Sequence, residues 1–361
     1  QQIPAQYLSP LISNLTEMRK AMFTSDCWRS FFIIIVGMVF LMLYKYKKLK
    51  AEYMIGGVAL LCLIDMWQVN KRYLNDNMFV EKSERDAPQP MTETDRQILQ
   101  DKSLDYRVLN LASNTFNENE TSYYHESIGG YNAAKLHRYQ DMIDAYIAPE
   151  MQKMMPAIAK SNGDMTTVDG NKLFPVLNML NAKYFILPLQ GGKTVPLQNP
   201  YAYGNAWFVD KVDYVDNANE EIDRVGKLDL RHEAVADKKF QEQMGQSKTQ
   251  DQTSVVKITS YQPNQLEYQV SSGKGGIIVF SEIYYPGWTA TVDGQPTDIG
   301  RVNYILRAIN VKPGHHKIVL KFFPKTVTET ETISYIAYGV LFLVLVFGCY
   351  TEWRRKKKTV E

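Results

Sequence analysis

The stretch SEIYYPGWTATVDGQP, residues 281–296, defines the architecture of the C-terminal third of this chain. From Trp288 to Val292, apolar and polar residues alternate, which is typical of a strand with one buried face. Asp293-Gly294 follows, and this dipeptide favours a two-residue hairpin turn because both of its positions tolerate a positive φ. We therefore predict a packed β-hairpin that begins after a corner at Pro286-Gly287.

Two tyrosines precede this corner, and they point to opposite faces if the chain there is extended. One ring of Tyr284 and Tyr285 can then lie in the core while the other is exposed. A packed corner explains the aromatic cluster most simply. The alternative is a carbohydrate-stacking surface, for which Tyr285 is the candidate residue.

The hairpin belongs to a series of short strands separated by turns that contain glycine, proline or asparagine. The strand candidates are 254–260, 265–271, 276–284, 288–292, 304–309 and 316–323. Strands at this spacing predict an antiparallel β-sandwich over residues 250–324.

The preceding region, residues 101–245, has a mixed α/β pattern. Its strand candidates are 106–111, 183–187 and 206–209, and its helix candidates are 132–147, 173–182, 219–225 and 234–243. Pro149 is expected to end the first of these helices. Residues 70–100 have the composition of a linker, with one short helix at 92–99 opened by a threonine cap and Asp95.

Three apolar runs lie outside these regions, at 28–46, 53–69 and 333–350. A helix of roughly 19 residues is about 28 Å long, close to the thickness of the hydrocarbon layer. Buried core helices are the alternative, but runs of this length without a polar face favour transmembrane helices. Ser25 or Asp26 is predicted to cap the first helix.

Basic clusters define an orientation for these spans. Lysines fill the loop at 47–52 and its borders, and five Lys or Arg residues lie at 354–358. Such clusters mark the cytoplasmic side, so 1–27 and 70–332 are predicted outside and 351–361 inside. The fold class expected is an α+β membrane protein with three transmembrane helices, an extracytoplasmic mixed α/β region and a membrane-proximal antiparallel β-sandwich.

The N-terminal segment, residues 1–27, has apolar residues at helical spacing between positions 5 and 22. It fits an amphipathic helix on the outer membrane surface or a connector to preceding parts of a longer protein. The second interpretation is preferred, and we expect this chain to be the C-terminal part of a longer protein.

Composition narrows the function classes. The net charge of +2 gives no reason to expect a nucleic-acid partner. The three cysteines lie in or beside the apolar runs and define no disulfide framework. We find no phosphate-binding loop, nucleophile elbow or metal-ligand spacing, so no metal site and no cofactor is predicted within this chain.

Several motifs together resemble the YfhO family of bacterial membrane proteins. They are the 281–296 stretch, Asn303-Tyr304, Arg307-Ala308, the segment VKPGHH at 311–316, SIGGY at 127–131, AKL at 134–136, RYQ at 138–140, DMW at 65–67, KRYL at 71–74 and LNMLNAKY at 177–184. The resemblance implies a GT-C type glycosyltransferase of the bacterial cytoplasmic (inner) membrane. Such an enzyme takes sugar from a polyprenyl-phosphate donor on the outer, periplasmic side.

The acidic catalytic loop of GT-C enzymes has no match here, so the resemblance assigns no catalytic residue. It leaves room for a divalent metal in the full-length enzyme. The partners expected are membrane lipids, a polyprenyl-phosphate sugar and an envelope glycan. The alternative function is a non-catalytic, membrane-anchored envelope module that binds glycan or a partner protein.

Two polar clusters are candidate substrate-binding sites. Asp65 lies near the end of the second apolar run, with Lys71 and Arg72 just beyond it to pair with it or to bind a lipid phosphate. An interfacial aspartate in contact with headgroups is the equally supported alternative. The second cluster consists of His125, Glu126, Lys135, Arg138 and the neighbouring Asp141. A solvated helix face, with Arg138 and Asp141 paired at i, i+3, is the simpler explanation for its helical members.

Overall fold

The computed structural model describes residues 5–79, 81–85, 89–246 and 253–360, which form two compact units, Gln1–Pro88 and Gln89–Glu361. Helices α1 to α11 of these residues are Ala5–Lys45, Ala51–Tyr73, Lys82–Arg85, Glu93–Ile98, His137–Met142, Ala148–Lys160, Gly170–Leu173, Pro175–Met179, Ala218–Val225, Gln241–Met244 and Lys325–Val360. Strands β1 to β15 are Arg107–Asn110, Glu126–Ser127, Ala182–Pro188, Thr194–Gln198, Ala206–Val209, Lys211–Val215, Glu233–Asp237, Val255–Gln262, Gln265–Ser272, Gly276–Ile283, Trp288–Val292, Gln295–Thr297, Gly300–Val302, Leu306–Val311 and Gly314–Phe322.

Three helices are long and apolar enough to cross a membrane: Ser9–Lys45, Ala51–Tyr73 and Lys325–Arg355. They coincide with the three predicted spans. The predicted cap at Ser25 or Asp26 is wrong, because α1 runs without a break from Ala5 to Lys45. Neither glycine nor proline occurs from residue 11 to residue 36, so nothing in this part of the sequence ends the helix.

Two sheets form the C-terminal region of the second unit. Their strand orders are β13-β14-β10-β5 and β12-β11-β15-β9-β8, and every strand pair in them is antiparallel. Side chains from both sheets share one apolar core, which includes Phe280, Ile309, Tyr268 and Leu320. The predicted antiparallel architecture is confirmed. The three-residue strands β12 and β13 were not predicted.

The remaining sheets are smaller. The order β2-β1-β3-β4 forms one sheet, in which β1 is parallel to both β2 and β3. The parallel pair β6 and β7 forms another. The helix predicted at 234–243 is wrong, since β7 occupies Glu233–Asp237 and only the four residues of α10 follow as α-helix. A short apolar run such as Ala234-Val235-Ala236 does not distinguish helix from strand.

The helix predicted at 132–147 has different ends. It begins at His137, passes through a π-helical turn at Ile143–Ile147, and continues as α6 to Lys160. Pro149 therefore does not end it. This proline lies in the first turn of α6, where the missing N–H costs least. The helix predicted at 173–182 is instead two short helices, α7 and α8, followed by β3.

Strand β10 joins the two parts of the second unit. Ile277 and Val279 on one face lie in the core shared with the α/β region, and Ile278 and Phe280 on the other face lie in the core between the two antiparallel sheets. Its neighbour β5 comes from the α/β region. The change near residue 245 is therefore a change in secondary structure, while the packing continues across it.

Candidate functional site

The tyrosine pair before the corner separates as the alternation predicts. Tyr284 packs against Phe240, with ring centroids 5.8 Å apart, and its N–H donates to the carbonyl of Ile305 at 2.7 Å. Tyr285 is 47% exposed, and Phe322 lies 6.1 Å from its ring centroid. Tyr285 is thus anchored on one side and open to solvent on the other.

The corner itself requires glycine. Gly287 has a φ of +98°, and a Cβ placed on it would lie 3.0 Å from Pro324 and 3.1 Å from Phe322. Trp288 follows, with its ring 5.3 Å from Phe322 and the Arg307 guanidinium carbon 3.9 Å from its centroid. The packed-corner interpretation therefore accounts for Trp288 but leaves the exposed Tyr285 ring unexplained.

A groove of about 490 Å³ opens beside Tyr285. The residues that characterise its lining are Arg107, Gly129, Gly130, Asn132, Lys135 and Tyr285. Its volume falls within the range of small-molecule sites in proteins, about 300–1,000 Å³. Two sequence candidates, Lys135 and Tyr285, therefore meet at one groove although they lie in different parts of the chain.

Backbone packing shapes one wall of this groove. A Cβ on Gly129 would lie 1.9 Å from the carbonyl oxygen of Thr115, so no side chain fits there. Gly130 has a φ of +97°, and its N–H donates to the same carbonyl at 2.7 Å. The two glycines let the chain approach Thr115 closely and leave the groove open above them.

Lys135 is a positively charged residue in the groove lining. Its Nζ donates to Oε1 of Gln140 at 3.1 Å and lies 5.8 Å from the Phe116 ring centroid. Within the described residues it forms no ion pair with a carboxylate, and no acidic residue lines the groove. The ammonium group is therefore available to a ligand in the groove.

Arg107 forms the base of the groove and was not predicted. Its Nη1 donates to the carbonyl of Leu180 at 3.1 Å, and its Nη2 lies 2.9 Å from Oε1 of Glu282. Glu282 is also 4.0 Å from Arg307. A charged residue inside the apolar strand GIIVFSEI is a signal that could have pointed to this buried cluster.

More carboxyl groups lie behind Arg107. Burial raises the pKa of Asp105 to about 7. The negative charges of Glu282 and Glu126 also raise this pKa, and the positive charge of Arg107 lowers it. Burial also raises the pKa of Glu126, against hydrogen bonding to Tyr261 and the charge of Arg107. Glu126, a predicted site residue, thus belongs to this buried carboxyl cluster and does not line the groove.

His125 holds the short helix α4 against the sheet. Its Nε2 lies 2.9 Å from Oδ1 of Asp95, and its side chain is almost completely buried. Asp95 is at the same time the acidic partner of a capping box with Thr92. The structure places His125 in this buried contact, away from the groove lining.

Arg138 and Asp141 both contact Tyr304. The Arg138 guanidinium carbon lies 4.2 Å from the Tyr304 ring centroid, and the Tyr304 hydroxyl donates to Oδ2 of Asp141 at 2.7 Å. Arg138 pairs with Glu221 at 3.3 Å. The predicted Arg138–Asp141 pair is wrong, because the arginine turns to the fully buried Glu221.

The remaining three candidates lie in the first unit, where α1 and α2 carry a charge network. Nε of Arg29 lies 3.1 Å from Oδ1 of Asp65, and Nη1 of Arg72 donates to Oδ2 of Asp26 at 2.8 Å. The predicted pairing of Asp65 with Lys71 or Arg72 is therefore wrong. Lys71 has no ion pair within the part of the chain that the structure describes.

No group of three or more His, Cys, Asp or Glu side chains in the described ranges is arranged to hold a metal ion. The acidic side chains near the groove are bound to arginine, asparagine or tyrosine. The arrangement can bind a ligand through stacking, hydrogen bonding and one cation, and it offers no pair of carboxyl groups open to the groove.

The chain is thus an α+β protein with three helices long and apolar enough to cross a membrane and a groove bordered by an exposed tyrosine. Residues 225–334 match the family model described as Bacterial membrane protein YfhO. The predicted resemblance is confirmed over this segment, which contains the Tyr285 corner and strands β7 to β15. No curated protein and no solved structure matches the chain.

Proposed function

We propose that this chain is the C-terminal part of an integral-membrane glycosyltransferase, and that the groove beside Tyr285 holds its acceptor glycan. The donor is a polyprenyl-phosphate sugar, and the acceptor is an envelope glycan or lipid on the outer side of the bacterial cytoplasmic membrane. The YfhO match supports the membrane family, and the transferase activity is carried by the resemblance alone.

The observation that carries glycan binding is the exposed ring of Tyr285 at the edge of the groove. Its phenol is 47% exposed yet held by Phe322, so stacking a sugar costs little conformational entropy. Asn132 and Lys135 supply hydrogen-bond donors elsewhere in the groove lining. A flat apolar surface facing polar groups suits a pyranose ring, which has apolar C–H faces and a polar rim.

Membrane placement follows from the three apolar helices and the basic clusters beside them. With residues 70–332 outside, the groove faces the compartment in which polyprenyl-linked sugars are transferred. Membrane lipids are the third partner class.

A second function has its own support. Three polar residues of the second predicted substrate-binding cluster are engaged in structural contacts: His125 with Asp95, Arg138 with Glu221, and Asp141 with Tyr304. This arrangement favours a non-catalytic envelope module that binds glycan or a partner protein. Both functions share the groove, and they differ in whether the whole protein transfers sugar.

The test separates binding from transfer. Residues 1–361 in lipid nanodiscs are titrated calorimetrically with glucose and N-acetylglucosamine oligomers, and separately incubated with a polyprenyl-phosphate sugar. We expect glycan binding that Tyr285→Ala reduces at least about tenfold, equivalent to 1.4 kcal/mol. Tyr123→Ala is the matched control, since that ring is 66% exposed and lies outside the groove.

We expect no sugar transfer by residues 1–361 alone, and transfer by membranes containing the full-length protein that Tyr285→Ala slows. Failure of every glycan to bind would exclude the acceptor role of the groove. Full-length protein that binds glycan without transferring sugar would establish the envelope module instead.

A further inference from the structure

A second hollow lies on the other side of Tyr285. Its volume is about 380 Å³, and its walls include Phe240, Tyr284, Tyr285, Trp288, Thr297 and Asp298. The 3-10 turn before α10, the Pro286-Gly287 corner and strands β11 and β12 supply these walls. Local sequence patterns do not predict this hollow, because four separate segments form it: residues 240–243, 284–290, 296–299 and Arg307.

Tyr285 is common to the two hollows, since it is among the residues that line each of them. The groove on one side contributes Asn132 and Lys135, and the hollow on the other side contributes Thr297 and Asp298. An exposed aromatic ring with a polar recess on each side suits a ligand longer than one ring. The ring would stack on a central unit while the recesses hold its neighbours.

The aromatic walls are held rigidly. Arg307 covers one face of Trp288 at 3.9 Å, and its Nε donates to the carbonyl of Ile283 at 2.9 Å. Arg301 and Lys239 lie 5.3 and 5.1 Å from the Phe240 ring centroid. Rings fixed by cations and by packing lose little freedom on binding, which favours a preformed site.

We propose that the two hollows and the Tyr285 ring form one continuous site for a glycan chain of at least three sugar units. This inference rests on the proposed function and specifies its substrate class: an oligosaccharide bound across Tyr285, with a sugar on each side of the stacked unit. Lys135 lines one hollow, and Asp298, whose side chain is exposed, lines the other together with Arg307, so the two hollows differ in their charged groups.

Two substitutions fill one recess each. Ala134→Trp places a large ring in the groove, and Thr297→Trp places one in the second hollow. Ala133→Trp and Gln295→Trp are the matched controls, because these exposed neighbours line neither recess. All variants are made in residues 1–361 in nanodiscs, and circular dichroism and thermal unfolding confirm that each is folded.

Glucose and N-acetylglucosamine oligomers of one to four sugar units are titrated into the protein by calorimetry. Saturation-transfer NMR measures the ligands that bind weakly. We expect affinity to rise at least about tenfold from one to three units, and Ala134→Trp or Thr297→Trp each to remove most of that gain. Monosaccharide binding should survive both substitutions and be lost in Tyr285→Ala.

The outcomes discriminate between this inference and the function on which it rests. Equal affinity for one and three units, or no effect of either recess substitution on the trisaccharide, would overturn the extended site while the groove still binds glycan. Absence of binding by every oligosaccharide would overturn the proposed function as well.

Discussion

Asp105 is the residue whose ionisation the fold disturbs most clearly near the groove. Its Oδ2 accepts a hydrogen bond from Nδ2 of Asn205 at 2.9 Å, while its buried Oδ1 has no partner within the described residues. Burial raises its pKa to about 7. A raised carboxyl pKa means that the folded state favours the protonated form, so this contribution to stability is complete below about pH 4 and is lost as the pH rises through 7.

Asp105→Asn removes this titration, so it is expected to stabilise the protein more at pH 8 than at pH 5. Asparagine keeps an acceptor for Asn205 and tolerates the φ of +53° at this position. The gain at pH 8 should be on the order of 4 kcal/mol, because the pKa rises from 3.8 to about 7 and each pKa unit corresponds to about 1.4 kcal/mol. Urea unfolding of both proteins from pH 5 to pH 8 measures it.

Asp223→Asn is the control for this comparison, since Asp223 is exposed. It should leave the pH dependence of unfolding unchanged. The assignment of this titration to Asp105 would be contradicted if the free energy of unfolding of the wild type stayed constant or rose between pH 5 and pH 8. It would also be contradicted if Asp105→Asn had the same pH dependence as the wild type.

Helix α9 is fastened to the hairpin of β13 and β14 through one carboxylate. Glu221 is fully buried, and its oxygens lie 2.9 Å from Nη2 of Arg301 and 3.2 Å from the N–H of Tyr304. Arg138 adds a third contact at 3.3 Å. Because the interaction joins elements about 80 residues apart in sequence, local pattern could not predict it.

Glu221→Gln should cost about 3 kcal/mol or more in the free energy of unfolding, because it leaves Arg301 buried without a counter-charge. Arg138→Met should cost less, since the Arg138 side chain is 31% exposed. Denaturant unfolding provides both values, with Glu242→Gln at an exposed site as the control. A cost for Glu221→Gln no larger than that of the control would disprove the fastening role.

The β11–β12 hairpin offers a test of backbone conformation alone. Asp293 and Gly294 have φ values of +52° and +81°, as the Asp-Gly turn predicts, and nothing lies within 4 Å of a Cβ placed on Gly294. Gly294→Ala should therefore destabilise by about 1–2 kcal/mol through left-handed strain. Gln295→Ala is the control for a substitution to alanine at an exposed position of the same hairpin. Equal losses of thermal stability in the two variants would refute the strain argument.

Sequence patterns predicted what depends on neighbours along the chain. The Asp-Gly hairpin, the capping box at Thr92 and the exposed Tyr285 all follow from residues within a few positions of one another. The buried strand β7 was mistaken for a helix because its three central residues carry no period. Arg107 and the glycine wall were missed because only long-range packing brings them beside Tyr285.

At the scale of the whole second unit, β10 determines how the parts depend on one another. Both of its faces are buried, one in each of the two large cores, and it pairs with β5 on one side and β14 on the other. The groove takes residues from both sides of this strand, including Arg107 before it and Tyr285 just after it. The groove therefore forms only when the α/β region and the antiparallel sheets pack together on β10.

The predicted membrane topology concerns the whole chain and can be tested by cysteine labelling. Cys27, Cys62 and Cys349 are free and exposed to the surroundings of the helices, so they are first replaced by serine. Single cysteines are then introduced at four exposed positions: Lys48, Lys257, Thr289 and Arg354. A membrane-impermeant maleimide should label Lys257→Cys and Thr289→Cys in intact cells. The reason is that the basic clusters predict a cytosolic location for the loop at 47–52 and the tail at 351–361, and therefore an outer location for residues 70–332.

Lys48→Cys and Arg354→Cys should react only after the cells are permeabilised. Labelling of Thr289→Cys and Arg354→Cys from the same side would mean that the third apolar helix does not cross the bilayer. If Thr289→Cys reacts only after permeabilisation, the groove faces the cytosol, and this result removes the periplasmic glycan from the ligands available to Tyr285. If Arg354→Cys reacts in intact cells, the predicted location of the tail is wrong and the groove still faces outside.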